Sequence, residues 1–317
     1  MRALARGPEF DLIRRFIAGA AAGGEGVLLG PGDDCAVLAN GTVLSTDMSV
    51  EGVHFRREWL SPREVGFWGA GAALSDLAAT AARPVGVLAS LAVAPEDADE
   101  WAEEVMAGVS EAVERLGGVL LGGDLTRSPA PLALDVTAVG TAEHPVLRSG
   151  AAVGDEVWVT GELGGAAAFV ARLLGGEEPD SDVRERFARP TPRTAEALWL
   201  NARGVLHAML DLSDGLLGDA GHLAAASGVA VVLDPDAVPV HPAATLALAV
   251  SGGEDYELCF AAAPGAVQPL AADFAREFGV ALTRVGRVEE GSGVWWGGAG
   301  EKRPARGGGF QHFGGVE

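Results

Sequence analysis

The sequence predicts a two-domain α/β protein, and three observations lead there. Its 317 residues exceed what a single hydrophobic core usually fills. Apolar runs of strand length alternate with stretches of helical period along most of the chain. A polar segment punctuated by Pro145 and Gly150 separates two such series. The expected domains are residues 1–141 and 142–317.

In the first half, residues 42–46 read as a short buried strand. Ser61-Pro62-Arg63-Glu64 carries the capping-box pattern with proline at the first helical position, so a helix is expected from there to about Ala82. Residues 85–93 are apolar, as in a central strand. Pro95 is expected to open a helix with Trp101, Val105, Val109, Val113 and Leu116 on one face and Glu100, Glu103, Glu104, Glu111 and Glu114 on the other. Gly117-Gly118 stops it, and residues 119–121 and 132–139 follow as strands. The second half predicts a strand at 156–160, helices at 165–174, 192–202 and 214–227, and strands at 229–233, 258–261 and 285–288. Gly228 supplies the stop for the third of these helices. Residues 291–315 are glycine-rich and receive no assignment.

Composition narrows the function classes. A net charge of −21 repels nucleic acid and anionic membrane, and no basic cluster offsets it. The longest apolar run, 85–94, is too short to span a bilayer. Arg2 and Arg6 are followed by Glu9 and Asp11 rather than an apolar signal region, so a cytoplasmic location is expected. Cys35 and Cys259 make no disulfide framework and no thiolate zinc site, and both read as small buried residues. The one lysine is Lys302, which excludes a Walker phosphate loop and a kinase-type strand lysine. Bound phosphates would have to be neutralised by divalent metals and a few arginines.

Six acidic segments stand beside glycine, serine or threonine: Gly32-Asp33-Asp34, Ser45-Thr46-Asp47, Ser75-Asp76, Gly122-Gly123-Asp124, Asp211-Leu212-Ser213-Asp214-Gly215 and Gly252-Gly253-Glu254-Asp255. Carboxylates and hydroxyls are the hard oxygen donors magnesium prefers, and small neighbours let a phosphate approach the backbone. Taken singly, Asp33 and Asp34 read as turn caps, Asp47 as a strand end and Asp214 as the cap of a helix beginning near Gly215. Asp76 is different, because it falls inside a predicted helix between Leu74 and Leu77, where a buried acid needs a cation. Asp47, Asp124 and Asp211 are expected at strand ends, where ligands of α/β sheets gather. Such a set suits the joining of two phosphate groups, where metals screen both anions and no protein nucleophile is needed.

Extended by their neighbours, these segments become specific. Gly32 to Val37 (GDDCAV), Ser45-Thr46-Asp47 with Val50 to Phe55 (VEGVHF), Leu74 to Ala79 (LSDLAA), Gly122-Gly123-Asp124, Asp211 to Leu216 (DLSDGL) and Ser251 to Leu258 (SGGEDYEL) resemble the ordered motif series of the thiamine-monophosphate kinase family. The likeness runs from about residue 9 to about residue 313. It implies an aminoimidazole ribonucleotide synthetase-like architecture, with a mixed-sheet amino-terminal domain and an α/β carboxy-terminal domain. It implies ATP as co-substrate, several magnesium ions, and direct phosphorylation of thiamine monophosphate to thiamine diphosphate, the last step of that biosynthesis. It also implies a homodimer that pairs the first-half sheets.

Carried over by position, Asp34, Ser45, Thr46, Asp47, Asp76, Asp124, Asp211 and Asp214 are the implied magnesium ligands. Gly123, Asp124, Arg148 and Ser213 are the implied ATP contacts, and His54, Glu254 and Phe310 the implied thiamine-phosphate contacts. The chain departs from the usual pattern at Ala73, at Thr80-Ala81 where Met-Gly is common, at Leu125, and at Phe310 where Tyr or Trp is common. None of these removes an expected metal carboxylate. Two other readings stay open: another ATP-using synthetase of the same superfamily, and a catalytically silent nucleotide- or metal-binding module.

Overall fold

The structure, a computed structural model, describes residues 8–18, 24–129, 131–298, 302–305 and 309. The first half contains α1 (Pro8–Ala18), β1 (Val27–Leu29), β2 (Ala36–Leu38), β3 (Thr42–Val50), α2 (Pro62–Ala79), β4 (Arg83–Val93), α3 (Glu100–Arg115), β5 (Val119–Arg127) and β6 (Ala133–Thr141). Its sheet has the order β1-β2-β3-β6-β4-β5, antiparallel throughout except for the parallel pair β4 and β5. The second half follows with β7 (Glu156–Thr160), α4 (Gly165–Leu174), α5 (Ser181–Ala188), α6 (Thr194–Asn201), β8 (Ala208–Asp211), α7 (Leu216–Ser227), β9 (Ala230–Leu233), α8 (Leu246–Ser251), β10 (Leu258–Ala262), α9 (Ala271–Phe278), β11 (Leu282–Glu289), β12 (Gly293–Trp296) and β13 (Arg303–Pro304). These strands form a second mixed sheet, β13-β12-β9-β11-β7-β10-β8, in which only β9 and β12 run parallel. The fold is α/β with two mixed sheets.

Helix α2 is the hinge of the architecture. Ser61 accepts the Glu64 N–H and the Glu64 carboxylate accepts the Ser61 N–H, the reciprocal capping expected from the sequence. The helix is buried almost all round, from Val65 to Ala79, with Glu64 and Asp76 among the few residues that reach its surroundings. It packs on α3 so closely that a Cβ on Gly66 would lie 1.8 Å from the Val105 carbonyl oxygen, and one on Gly108 2.0 Å from that of Arg63. Its other flank meets Phe169 of α4 and Phe187 of α5, so the second half contributes to the first half's core. At its end, the Ala82 N–H donates to Leu77 and the Ala81 N–H to Ala78, a Schellman ending with Ala81 at φ 53°.

Several expected bounds shift. Strand β3 runs on to Val50 and β5 on to Arg127, so Asp47 and Asp124 lie within strands rather than at their ends. Gly122 and Gly123 stay extended, and ladder pairing with β4 carries β5 through them. Pro95 opens a single 3-10 turn to Asp97, and α3 begins only at Glu100. Strands β1, β2, β12 and β13 and helices α1, α5, α8 and α9 were not foreseen, because most are too short to show a long apolar period. Both cysteines are free and buried, and no described helix is long and apolar enough to cross a membrane.

Candidate active site

Three carboxylates from distant segments meet where the two halves join. Asp34 lies on the loop between β1 and β2, Asp76 in the last turn of α2, and Asp211 at the end of β8. One oxygen from each falls within 4.8 Å of the others. The Ser45 hydroxyl donates to Asp76 Oδ2, and the Ser75 hydroxyl to Asp211 Oδ2 at 2.5 Å. Arg148 donates from Nη2 and Nε to Asp34 Oδ1 at 2.6 and 3.0 Å, while its main-chain N–H donates to Asp33 Oδ1 at 3.0 Å.

One guanidinium does not balance this much negative charge. Burial and neighbouring acids push Asp76 well above the usual carboxylate range and Asp211 up to about 7. Burial opposes the Arg148 charge, but Asp34 and its neighbours outweigh that and raise its pKa. Asp76 also sits at the negative end of a helix dipole. Asp34 Oδ2 is buried with no hydrogen-bond partner. An orphaned carboxylate oxygen among hard oxygen donors is what a divalent cation such as magnesium would satisfy.

Asp47 and Asp214 connect this cluster to a cavity of about 870 Å³ that both of them line, together with Ser213, His54, Trp68, Glu254 and Tyr256. Asp47 is near enough to help raise Asp76, and Asp214 to help raise Asp211. The β3 pleat sends Thr46 the other way: its hydroxyl donates to Asp135 Oδ1 at 3.0 Å and lies 3.3 Å from Thr137 Oγ1. Gly123 and Asp124 stand on exposed strand β5, with Asp124 opposite Ser90, and Asp124 is not in the three-acid cluster. A Cβ at Gly123 would sit 1.7 Å from the Ala89 carbonyl oxygen, and its φ of 158° also favours glycine, so the close pairing of β5 with β4 requires glycine there.

Two loops are laid side by side at the cavity wall. The Glu254 N–H donates to the Ser213 carbonyl and the Tyr256 N–H to that of Leu212, each at 2.9 Å. A Cβ at Gly253 would approach the Ser213 carbonyl oxygen to 2.2 Å, which explains a glycine there. Asp214 is not the cap of α7. Gly215 holds that position without a side-chain cap, and Asp219 in the first turn reaches back, its Oδ2 accepting the N–H groups of Asp214 and Gly215 at 3.1 and 3.0 Å. Asp219 and Asp214 also approach His222, whose pKa burial and the Arg148 charge push down to about 3.

Glu254 adopts a left-handed backbone, φ 73°, and its Oε2 accepts both the Trp68 indole N–H at 2.6 Å and the Tyr256 hydroxyl at 3.0 Å. Burial nonetheless pushes its pKa up to about 8. His54 Nδ1 accepts the Val50 N–H at 3.0 Å, which places the imidazole proton on Nε2. Asp255 points away from the cavity wall and accepts the Gly164 N–H at 2.7 Å, at the start of α4. Phe310 lies outside the described residues. Its neighbour Gly309 lines the cavity, and a Cβ there would lie 2.5 Å from the Asp214 carbonyl oxygen.

The sequence reading missed Trp68, Tyr256 and Asp219. Asp219 carried a signal, an acid in the first turn of a helix. Trp68 carried none, since its partner is 186 residues away.

Known proteins resemble this chain in sequence and in fold. The model of "AIR synthase related protein, N-terminal domain" matches residues 32–142, and that of "AIR synthase related protein, C-terminal domain" matches residues 152–296. The thiamine-monophosphate kinase of Rhodopirellula baltica is 37% identical over 290 residues, covering 85% of this chain and 86% of its own. The solved structure of AaThiL complexed with AMPPCP and TMP superposes with a TM-score of 0.82 at 30% identity, covering 96% of each chain. That of the thiamine-monophosphate kinase from Stenotrophomonas maltophilia K279a has a TM-score of 0.75 at 35% identity, covering 93% of this chain and 97% of its own.

Proposed function

Since the chain belongs to the AIR synthase related family and, within it, to the thiamine-monophosphate kinases, we propose that its cleft phosphorylates thiamine monophosphate at the expense of ATP. The activity is that of an ATP-dependent phosphotransferase, giving thiamine diphosphate and ADP. The observation that carries the reading is the meeting of Asp34, Asp76 and Asp211 beside a cavity whose polar lining includes Asp47, Asp214, Ser213, Arg56, His54 and Glu254.

Asp34, Asp76 and Asp211, with Asp47 and Asp214 at the cavity edge, would hold magnesium; Ser45 orients Asp76. Thr46 would contribute through its main chain, since its side chain is engaged on the far face, and Asp124 from strand β5. Bound magnesium supplies charge neutralisation for the two anions and alignment of attacking and leaving oxygens. Gly123, Asp124, Arg148 and Ser213 are proposed to meet ATP. For Arg148, that means exchanging part of its pairing with Asp34 for phosphate. His54 offers Nε2–H to the acceptor, Glu254 its carboxylate, and Phe310 an aromatic face. The acceptor phosphate attacks the γ-phosphorus directly, because no activated protein nucleophile lines the cavity among the described residues.

A cytoplasmic location and a homodimer are part of the same proposal. All nine residues of β5 are exposed, Val119 and Leu125 by 54% and 62%, and Met48 on β3 by 59%. A long apolar strand edge is a surface that a second copy would cover. The division into domains at 141/142 is proposed on the same footing, the two family models meeting near it.

Purified protein given ATP, magnesium and thiamine monophosphate is expected to form thiamine diphosphate, with unphosphorylated thiamine a poor acceptor. Product chromatography checks this. Turnover of free thiamine but not of the monophosphate would overturn the assignment, and silence toward both in a folded protein would favour a binding module.

A further inference from the structure

Trp68 belongs to the first half and Glu254 to the second, yet the indole Nε1–H donates to Glu254 Oε2 at 2.6 Å. The ring has little room to do anything else. It is 2% exposed, stacks on Phe187 with centroids 5.9 Å apart at 26°, and meets Phe55 edge-on at 6.1 Å. The Tyr256 hydroxyl donates to the same carboxylate oxygen at 3.0 Å. With both donors on Oε2, the carboxylate has one fixed rotation. Its other oxygen is then the one left for a ligand in the cavity that Glu254 lines.

The backbone agrees with such a fixed carboxylate. Glu254 and Tyr256 take left-handed φ values of 73° and 50°, a conformation that costs a side chain of this kind about 1–2 kcal/mol per residue and persists only where surroundings enforce it. The Glu254 and Tyr256 N–H groups are tied to the loop that carries Asp214. The carboxylate is therefore held by its own loop and by α2, and the backbone that carries it by the Asp214 loop.

We infer that Trp68, assisted by Tyr256, is a positioning residue for the phosphoryl acceptor, presenting Glu254 to the acceptor's heterocycle from across the junction of the two halves. The inference rests on the kinase reading above, and it predicts a selective effect. Losing a donor loosens Glu254 without touching the carboxylate cluster, so acceptor recognition suffers and phosphoryl transfer at saturation does not.

The test is Trp68→Phe, which keeps an aromatic ring against Phe187 but removes the N–H together with part of the indole, alongside Tyr256→Phe, which deletes only the hydroxyl. Each is measured for the Michaelis constants of thiamine monophosphate and ATP, for saturating turnover, and for binding of thiamine monophosphate by calorimetry without ATP. Trp68→Phe is expected to raise the acceptor KM and Kd by about tenfold, the scale of one hydrogen bond. Tyr256→Phe should act in the same direction, with the ATP KM and saturating turnover within about twofold of the unchanged protein. If folded Trp68→Phe keeps the original acceptor KM and Kd, the positioning role is wrong. If both variants raise the ATP KM and lower turnover as much as they raise the acceptor KM, Trp68 merely supports the cleft and the inference also falls. Should Trp68→Phe fail to fold, Tyr256→Phe decides alone by the same measurements. The unchanged protein run in parallel separates this from failure of the kinase reading, which would leave it without activity on thiamine monophosphate.

Discussion

The two ends of the cleft hold their polar groups by opposite means. At the carboxylate end, Asp34, Asp76 and Asp211 crowd together with one guanidinium and a few hydroxyls, and Asp34 keeps an oxygen with no partner. At the aromatic end, a single carboxylate, Glu254, receives two neutral donors on one oxygen within a ring-lined wall. The first arrangement is electrostatically incomplete and waits for cations. The second has its carboxylate positioned before anything binds. The difference teaches that one cleft can be strained toward metal at one end and preorganised toward a neutral-edged heterocycle at the other, with α2 supplying a residue to each.

The largest expected effect breaks the carboxylate end. Asp76→Asn keeps the side-chain size but removes a negative charge, and turnover should fall by about 2–4 kcal/mol in barrier, roughly 30-fold to 1000-fold. Added magnesium should recover part of it. Because the same change relieves repulsion from Asp211 and Asp34, the metal-free variant should melt no lower than the original. Undiminished turnover at limiting magnesium would show that Asp76 holds no metal.

Next is pH. Asp211 is raised to about 7 in the folded chain and lies near 3.9 when unfolded, so the folded state retains its proton longer. Its contribution to stability is full below about pH 4 and is lost as pH rises toward 7. Metal-free protein should therefore lose a few degrees of melting temperature between about pH 4 and 7, and magnesium should restore most at the upper end. Glu254, raised to about 8, has the same sign, but magnesium should leave its share untouched. A metal-free melting temperature that rises over this window would contradict the charge crowding described for the cluster.

Smaller effects follow for the acceptor contact proposed at Phe310. Phe310→Ala should raise the acceptor KM by roughly fivefold, about 1 kcal/mol, with the ATP KM unchanged. An unchanged acceptor KM would remove Phe310 from the site. Smallest of all is Ala81→Gly, at the Schellman end of α2, where φ 53° suits glycine. It should raise stability by about 0.5–1 kcal/mol by differential scanning calorimetry, the relief of αL strain exceeding the added freedom of the unfolded chain. Turnover and both KM values should stay put, which makes it a control for stability acting alone.

The local devices of the fold were legible. The capping box at Ser61 and Glu64 is formed as written, β7 and α4 have the bounds their patterns indicate, and Gly228 ends α7 at φ 69°. The acids were legible as a set, since hard donors beside small residues are rare enough to notice. Their relative placement was not. Asp47 and Asp124 moved inside strands because ladder pairing with β6 and β4 extends β3 and β5 past the residues whose own preferences would stop them. Thr46 turned to the opposite face because the pleat alternates.

By itself, then, the sequence determined periods, caps, stops and the chemical type of the site, all properties of residues a few positions apart. Tertiary structure decided which of these meet. Ser75 reaches Asp211 over 136 residues, Arg148 reaches Asp34 over 114, and Trp68 reaches Glu254 over 186. Local propensity has no range over which to encode such contacts. The first and last exist because α2, small enough at Gly66 to press against α3 and capped at Ser61, is buried between the two sheets and carries Trp68, Ser75 and Asp76 toward the other half.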